Sequence, residues 1–287
     1  MEPTPIRISE KLAICYTVCG PTYKATAREK LTNLYRDHPD LYYFVITDDK
    51  TYFADVPRKN LVVRELTEIY EEYPEIEQNE WFLDSGDSIR DYGNRVKALD
   101  YKFPFPVTRF HLKLAVERGI YSVAMLGTDS DLNFHILDDT QPGGSDLLSQ
   151  KNTIFNTVSW WTESLENSEP MRVVSKIIED KYGLVSKNPD HIWVYDEAAR
   201  LYVFENAEMM NQLFDMWHYV VGELYETKEI QRLFLGWYGI HEEHLLGVIY
   251  DVLGIKKPDH MFGLFNTRHD PINERPWLCH EIKWDEK

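Results

Sequence analysis

Apolar residues in this chain gather in short unbroken blocks. Leu12 to Val18 is the first, Leu41 to Ile46 the second and Ile120 to Leu126 the third. Blocks of this length bounded by turn residues read as strands buried on both faces, as in a parallel sheet. Cys19-Gly20-Pro21 breaks the first and Thr47-Asp48-Asp49 ends the second. Between them, Lys24 to His38 has the helical period, with Ala27, Leu31, Leu34 and Tyr35 on one face. A strand–helix–strand opening predicts an α/β sheet. Phe105 to Arg118 reads as a helix stopped by Gly119, with Val107, Phe110, Leu112 and Leu114 as its apolar side.

The later chain is read in the same way. Residues 60 to 100 are expected to hold helical segments, one of them Asp87 to Leu99 around Gly93. Pro142-Gly143-Gly144-Ser145-Asp146 is a loop. Thr153 to Trp161 is strand-like and Met171 to Tyr182 helical. His191 to Tyr195 and Arg200 to Phe204 look like strands paired with each other around Asp196 to Ala199. Asn206 is placed to cap a long helix running to about Tyr225. A last helix opens at His241-Glu242-Glu243-His244 and continues through Leu253. No repeat, low-complexity tract or linker interrupts this series, which predicts one domain over residues 1–287 with a helical C-terminal portion.

Composition narrows the function classes. Forty-eight acidic against 31 basic residues give a net charge of −17. That argues against a general nucleic-acid binder, whose footprint is basic, while leaving room for a local basic groove. No apolar stretch reaches the roughly 20 residues that span a bilayer. Met1 to Arg7 lacks the pattern of a signal peptide, so a cytoplasmic protein of bacterial or viral origin is expected. Cys15, Cys19 and Cys279 form no metal or disulfide framework. Neither the dinucleotide glycine fingerprint nor the P-loop occurs.

The third apolar block delivers Gly127-Thr128-Asp129-Ser130-Asp131 to its carboxyl end. Ligands of open α/β sheets bind beyond the carboxyl ends of strands. Two carboxylates one residue apart can face the same ion, and hard cations such as Mn²⁺ or Mg²⁺ prefer such oxygen ligands. A solvated acidic turn is the alternative. At the last helix, the dipole alone accounts for Glu242 and Glu243 in the first turn. The histidines His241 and His244 are three residues apart, so the zinc-protease pattern is absent. The aromatic segment containing Trp193, Tyr195 and Trp217 is either a binding wall or core.

The order of helix, Gly119, buried strand, Asp-Ser-Asp and then Leu132-Asn133-Phe134-His135 resembles the metal-binding core of the GT-A glycosyltransferases, in which a short strand follows the acidic motif. Phe265 to Trp277 is similar to the C-terminal signature of their retaining family-eight members, a histidine, a glycine and then Lys-Pro-Trp. Here His269 and Arg275-Pro276-Trp277 stand at those places; the glycine is missing and Arg replaces Lys. The resemblance, to retaining family-eight and family-six types, implies a mixed nucleotide-sugar-binding sheet flanked by helices. The donor part would cover about 10–140 and the acceptor part about 150–287.

It further implies Mn²⁺ or Mg²⁺ on Asp129, Asp131 and His269. A nucleoside diphosphate sugar, UDP-sugar by family, would be held by Thr17, Val18, Gly20, Tyr23, Asp49 or its neighbour Asp48, Arg109 and Arg275. Glu243, or failing it Glu242, would sit beside the acceptor and the anomeric carbon. The acceptor stays open among glycan, lipid, protein and modified nucleobase. A metal-dependent phosphoesterase and a non-catalytic interaction protein are the rival classes.

Overall fold

The computed structural model describes residues 11–18, 20–36, 38–65, 67–68, 111–127, 130–138, 146–156, 160–195, 199–227, 242–257 and 264–267. Within them the apolar blocks become the centre of a six-stranded sheet. β1 (Leu12–Val18) leads through α1 (Pro21–Glu29) to β2 (Tyr42–Thr47) and then β3 (Leu61–Glu65). β4 (Ser122–Leu126) returns to the other side of β1. The order is β3-β2-β1-β4, then β9 (Ala199–Val203) and β6 (Thr153–Asn156). The first four strands are parallel, whereas β9 runs antiparallel to both β4 and β6.

Alternation along the strands explains why the blocks are continuous. One face of each strand supplies Ala13, Cys15, Phe44, Ile46, Val123 and Tyr202 to a core beneath three helices: α2 (Glu169–Tyr182), α3 (Ala207–Glu226) and α4 (Glu242–Leu253). The other face supplies Ile14, Tyr16, Tyr43, Val45, Ala124 and Leu201 to a second core that includes Ala27 of α1 and Leu31 just after it. Side chains alternate between faces in a strand. With helices on both faces, most positions of the central strands are apolar and no polar alternation survives. This is the α/β mixed sheet flanked by helices, with a helical C-terminal portion, that the sequence predicts.

Several elements differ from expectation. Leu61–Glu65 is a strand, paired parallel to β2, where helix was expected; Leu61, Val62 and Val63 suit a pleated edge. Thr153 to Trp161 divides into β6 and β7 (Trp160–Glu163), which lie in different sheets. β8 (Ile192–Tyr195) pairs with β7, not with β9. β9 is buried along its whole length and is claimed on both sides by β4 and β6, so no edge remains for β8. The short strand after the acidic motif, β5 (Ser130–Leu132), begins inside it, because Asn133 caps the helical turn Phe134–Leu137 through the amide of His135.

Other expectations hold. Residues 111–116 are helical, and Gly119 follows in the left-handed region at φ 63°. Leu112 and Leu114 of that helix are buried. Asn206 Oδ1 accepts the amide of Met209 at 3.0 Å, capping α3. The expected helix around Gly93 and the loop at residues 142–145 lie outside the described residues. Among the described residues no helix is long and apolar enough to cross a membrane.

Candidate active site at the carboxyl ends of β1 and β4

Chain order reverses between β1 and β4: strands two and three lie on one side of β1, strand four on the other. In open α/β sheets the crevice at such a reversal, beyond the carboxyl ends, is the ligand site. Thr17, Val18 and Gly20 stand at the end of β1, Asp48 and Asp49 at the end of β2, and Gly127 at the end of β4. The fold thus brings these sequence-predicted positions to one rim.

The β1–α1 turn is fixed to the end of β2. Gly20 has φ 80°, a conformation open to glycine, and its amide donates to Asp48 Oδ2 at 3.2 Å. Lys24 Nζ lies 3.1 Å from Asp48 Oδ1 and 3.9 Å from Asp49 Oδ2. Asp49 caps the 3₁₀ turn Lys50–Phe53, accepting from the Thr51 hydroxyl at 2.5 Å and the Thr51 amide at 3.0 Å. The hydroxyl bond, foremost, holds the Asp49 carboxyl below its usual range. Tyr23, in the first turn of α1, is 57% exposed and can present its ring at the rim. Thr17 Oγ1 is 3.4 Å from Nε2 of His111, which is wholly buried. Burial pushes this imidazole down to about 3, so it is neutral at ordinary pH.

At the end of β4 the structure adds residues that the sequence does not mark. Lys30 is fully buried, and its Nζ lies 2.6 Å from Asp131 Oδ1 and donates to the Ser130 carbonyl at 2.7 Å. The Tyr35 hydroxyl reaches the same carboxylate oxygen at 3.5 Å, and the Tyr16 and Tyr35 hydroxyls are 2.5 Å apart. Burial, foremost, raises both phenols, so they stay protonated. Lys30, three residues after Ala27, is on the inward side of the helix, and from it α1 passes into a π-helical turn, Lys30–Leu34, closed by Tyr35 N to Lys30 O at 3.0 Å. The extra residue per turn rotates the inward face. Lys30 and Tyr35 turn in, while Leu34, expected in the core, is 44% exposed. Such π insertions favour functional sites.

A strand from far along the chain completes the rim. β10 (Phe265–Thr267) pairs antiparallel with β5, placing Asn266 opposite Asp131 and Thr267 opposite Ser130. β10 therefore runs towards the Asp129 side of β5. Asp129, His269, Arg275 and Arg109 lie outside the described residues. Among the described residues no three metal-type side chains converge.

α4 begins at Glu242, as expected; the side chains of Glu242 and Glu243 are outside the described part of the structure. The Tyr250 hydroxyl is 3.3 Å from that of Tyr202, level with Val123, and Lys256 bridges to Thr153, level with Ser122.

The three aromatic candidates separate. Trp217 is 1% exposed and stacked on Phe214 in the core, so no acceptor reaches it; the apolar face of α3 claims it. Tyr195 pairs through its backbone with Trp160. Trp193 is 37% exposed, on the cleft beside α4.

No protein-family model matches the chain, and no curated protein does. Among solved structures it is similar to the galactosyltransferase LgtC in complex with donor and acceptor sugar analogues, at 11% identity and a TM-score of 0.37, over 90% of this chain and 87% of that one. An active-site mutant of LgtC matches at 12% identity and the same TM-score of 0.37, over 83% and 70%. The bifunctional glycosyltransferase WbbM matches at 8% and 0.29, over 72% of this chain and 34% of that one. At this level of overlap the likeness carries no weight for activity or substrate, and the fold rests on the sheet and its strand order.

Proposed function

We propose that the protein is a metal-dependent glycosyltransferase that moves a sugar from a nucleoside diphosphate sugar, with retention favoured by the C-terminal signature. One observation carries this reading: the acidic motif leaves the carboxyl end of β4 at the reversal of strand order, and β10 pairs directly beside it. Residues 131 and 266, distant in sequence, share one ladder position. That pairing supports a joint site for Asp129, Asp131 and His269.

The donor set of two carboxylates and an imidazole fits a hard divalent ion. Asp131 also meets the requirement of a fixed ligand, since buried Lys30 and Tyr35 both engage its Oδ1. When bound, Mn²⁺ or Mg²⁺ would neutralise charge on the diphosphate. The chain's own residues do the rest. Thr17 and the backbone at the end of β1 hold the nucleoside, with Tyr23 against the base. The start of α1 and Arg275 attract phosphate. Lys30 positions Asp131. Glu243, at the start of α4, orients the acceptor or stabilises positive charge on the sugar.

Thermal shifts with nucleoside diphosphates and nucleotide-sugars, each with Mn²⁺, Mg²⁺ or EDTA, test the reading. A metal-dependent rise for one nucleotide, abolished in a folded Asp131→Asn variant, is the expected result. Metal-dependent phosphate release without sugar transfer would favour a phosphoesterase instead. Failure of every nucleotide to shift the midpoint would remove the donor site.

A further inference from the structure

A cavity lies away from the strand-end site. It is a cleft of about 510 Å³ between the turn at residues 186–188, β8 and the end of α4. Its position follows from the sheet. Lys256 on its wall bridges to Thr153 on β6, level with Ser122 at the start of β4. The acidic motif follows the other end of β4. Four residues along the strand and three strand spacings across put the two on the order of 20 Å apart.

The cleft's walls are held open and rigid. The Asp251 carboxylate accepts from Ser186 Oγ at 2.6 Å, Lys187 N at 2.8 Å, Asn188 N at 3.3 Å and Asn188 Nδ2 at 2.8 Å, pinning the turn to α4. Gly247 lets the helix meet the Trp193 backbone, where a Cβ would stand 2.5 Å from the carbonyl oxygen. Gly254, at φ 75°, leaves the space occupied by Lys187 Nζ, 2.5 Å from where a Cβ would be. The volume falls in the range of small-molecule sites.

Its charge is opposite to that of the whole chain. Among the described residues Lys187, Lys256 and Lys257 line it with one carboxylate, Asp251, which is met by the four donors of the turn. In a chain of net charge −17 this concentrates positive potential at one place. Trp193 contributes a half-exposed indole with Lys257 Nζ 3.5 Å from the ring centroid. The same spot thus carries an indole with an ammonium laid on one of its two faces. A sugar ring has an apolar face of C–H groups to lay on indole, hydroxyls for Asn188, and, if acidic, an anion for the lysines.

We propose that this cleft binds an anionic saccharide, separately from the strand-end site. It does not rest on the proposed transferase activity. The role it gives Trp193 replaces that of an acceptor wall at the strand-end site.

Titration calorimetry of the full chain with a sulfated tetrasaccharide, a polygalacturonate-derived tetrasaccharide, a neutral maltotetraose and an oligo-dT of equal charge tests it. One or both acidic sugars should bind, and the tighter one identifies the anionic group. Trp193→Ala, and separately the double change Lys187→Gln with Lys257→Gln, should each weaken binding about tenfold or more, equivalent to about 1.4 kcal/mol. Asp131→Asn, checked for folding by circular dichroism, should leave it unchanged. The proposal is overturned if no acidic sugar binds at millimolar concentration, if maltotetraose or oligo-dT binds as well, if the cleft variants retain full affinity, or if Asp131→Asn abolishes binding.

Discussion

Lys30 is the residue on which the geometry of the acidic motif turns. Its ammonium is fully buried and met by the Asp131 carboxylate and the Ser130 carbonyl. Removing one partner of a buried pair leaves the other charge uncompensated, at a cost of roughly 3–5 kcal/mol. Asp131 keeps 14% of its side-chain exposure, so Lys30→Met should sit near the lower end, about 3 kcal/mol by urea unfolding. Adding Asp131→Asn should restore part of that loss, with a coupling of about 1 kcal/mol or more. Strict additivity of the two changes would show that the pair does not act as a unit.

His111 gives a separate signal in pH. Its folded pKa is about 3, depressed by burial, against an ordinary value of 6.5. Between those values the unfolded chain holds a proton that the native state does not. Stability from this group is therefore complete above about 6.5 and falls as pH drops towards 3, by up to about 1.4 kcal/mol per pH unit. Urea midpoints at pH 7 and pH 5 should fall further apart in the native sequence than in His111→Asn. Equal slopes would mean that the imidazole is protonated in the folded state.

At the scale of elements, two helix-interior glycines make opposite predictions. Gly222 in α3 is exposed, and a Cβ placed there would meet nothing within 4 Å, so Gly222→Ala should stabilise by roughly 0.5–1 kcal/mol. Gly247 in α4 abuts the Trp193 carbonyl, a backbone atom that cannot swing aside. Gly247→Ala should push α4 from β8 and destabilise by about 1–3 kcal/mol. Thermal melts of the two variants, moving in opposite directions, check both. The π turn after α1 belongs to this scale as well, because one added residue turns Leu34 out and leaves Tyr35 inward.

For the whole molecule, the cleft and the strand-end site share no residue among those described. A nucleotide with Mn²⁺ and an acidic oligosaccharide should therefore raise the melting midpoint independently, their free-energy increments adding within about 0.5 kcal/mol. Saturating amounts of each, alone and together, measure this. An increment for the pair well below the sum would indicate that the ligands compete for one site.

What the sequence determined by itself was local. Continuous apolar blocks marked β1, β2 and β4 because a strand covered on both faces has no polar side to display. Asn206 announced α3, Gly119 ended the helix before β4, and Asp131 was legible because a buried strand must end where its carboxylates emerge. Only the tertiary structure decided what depends on partners far along the chain. Lys30 met Asp131, a partner far along the chain that helical periodicity does not name. β9 took both neighbours and left β8 to β7, since strand propensity does not name the pairing strand. Trp193 and Trp217 look alike in sequence, yet the packing of α3 buried one and the edge beside α4 exposed the other. The pairing of β10 with β5 came from the structure alone, for hydrogen bonds between such distant segments leave no spacing to read.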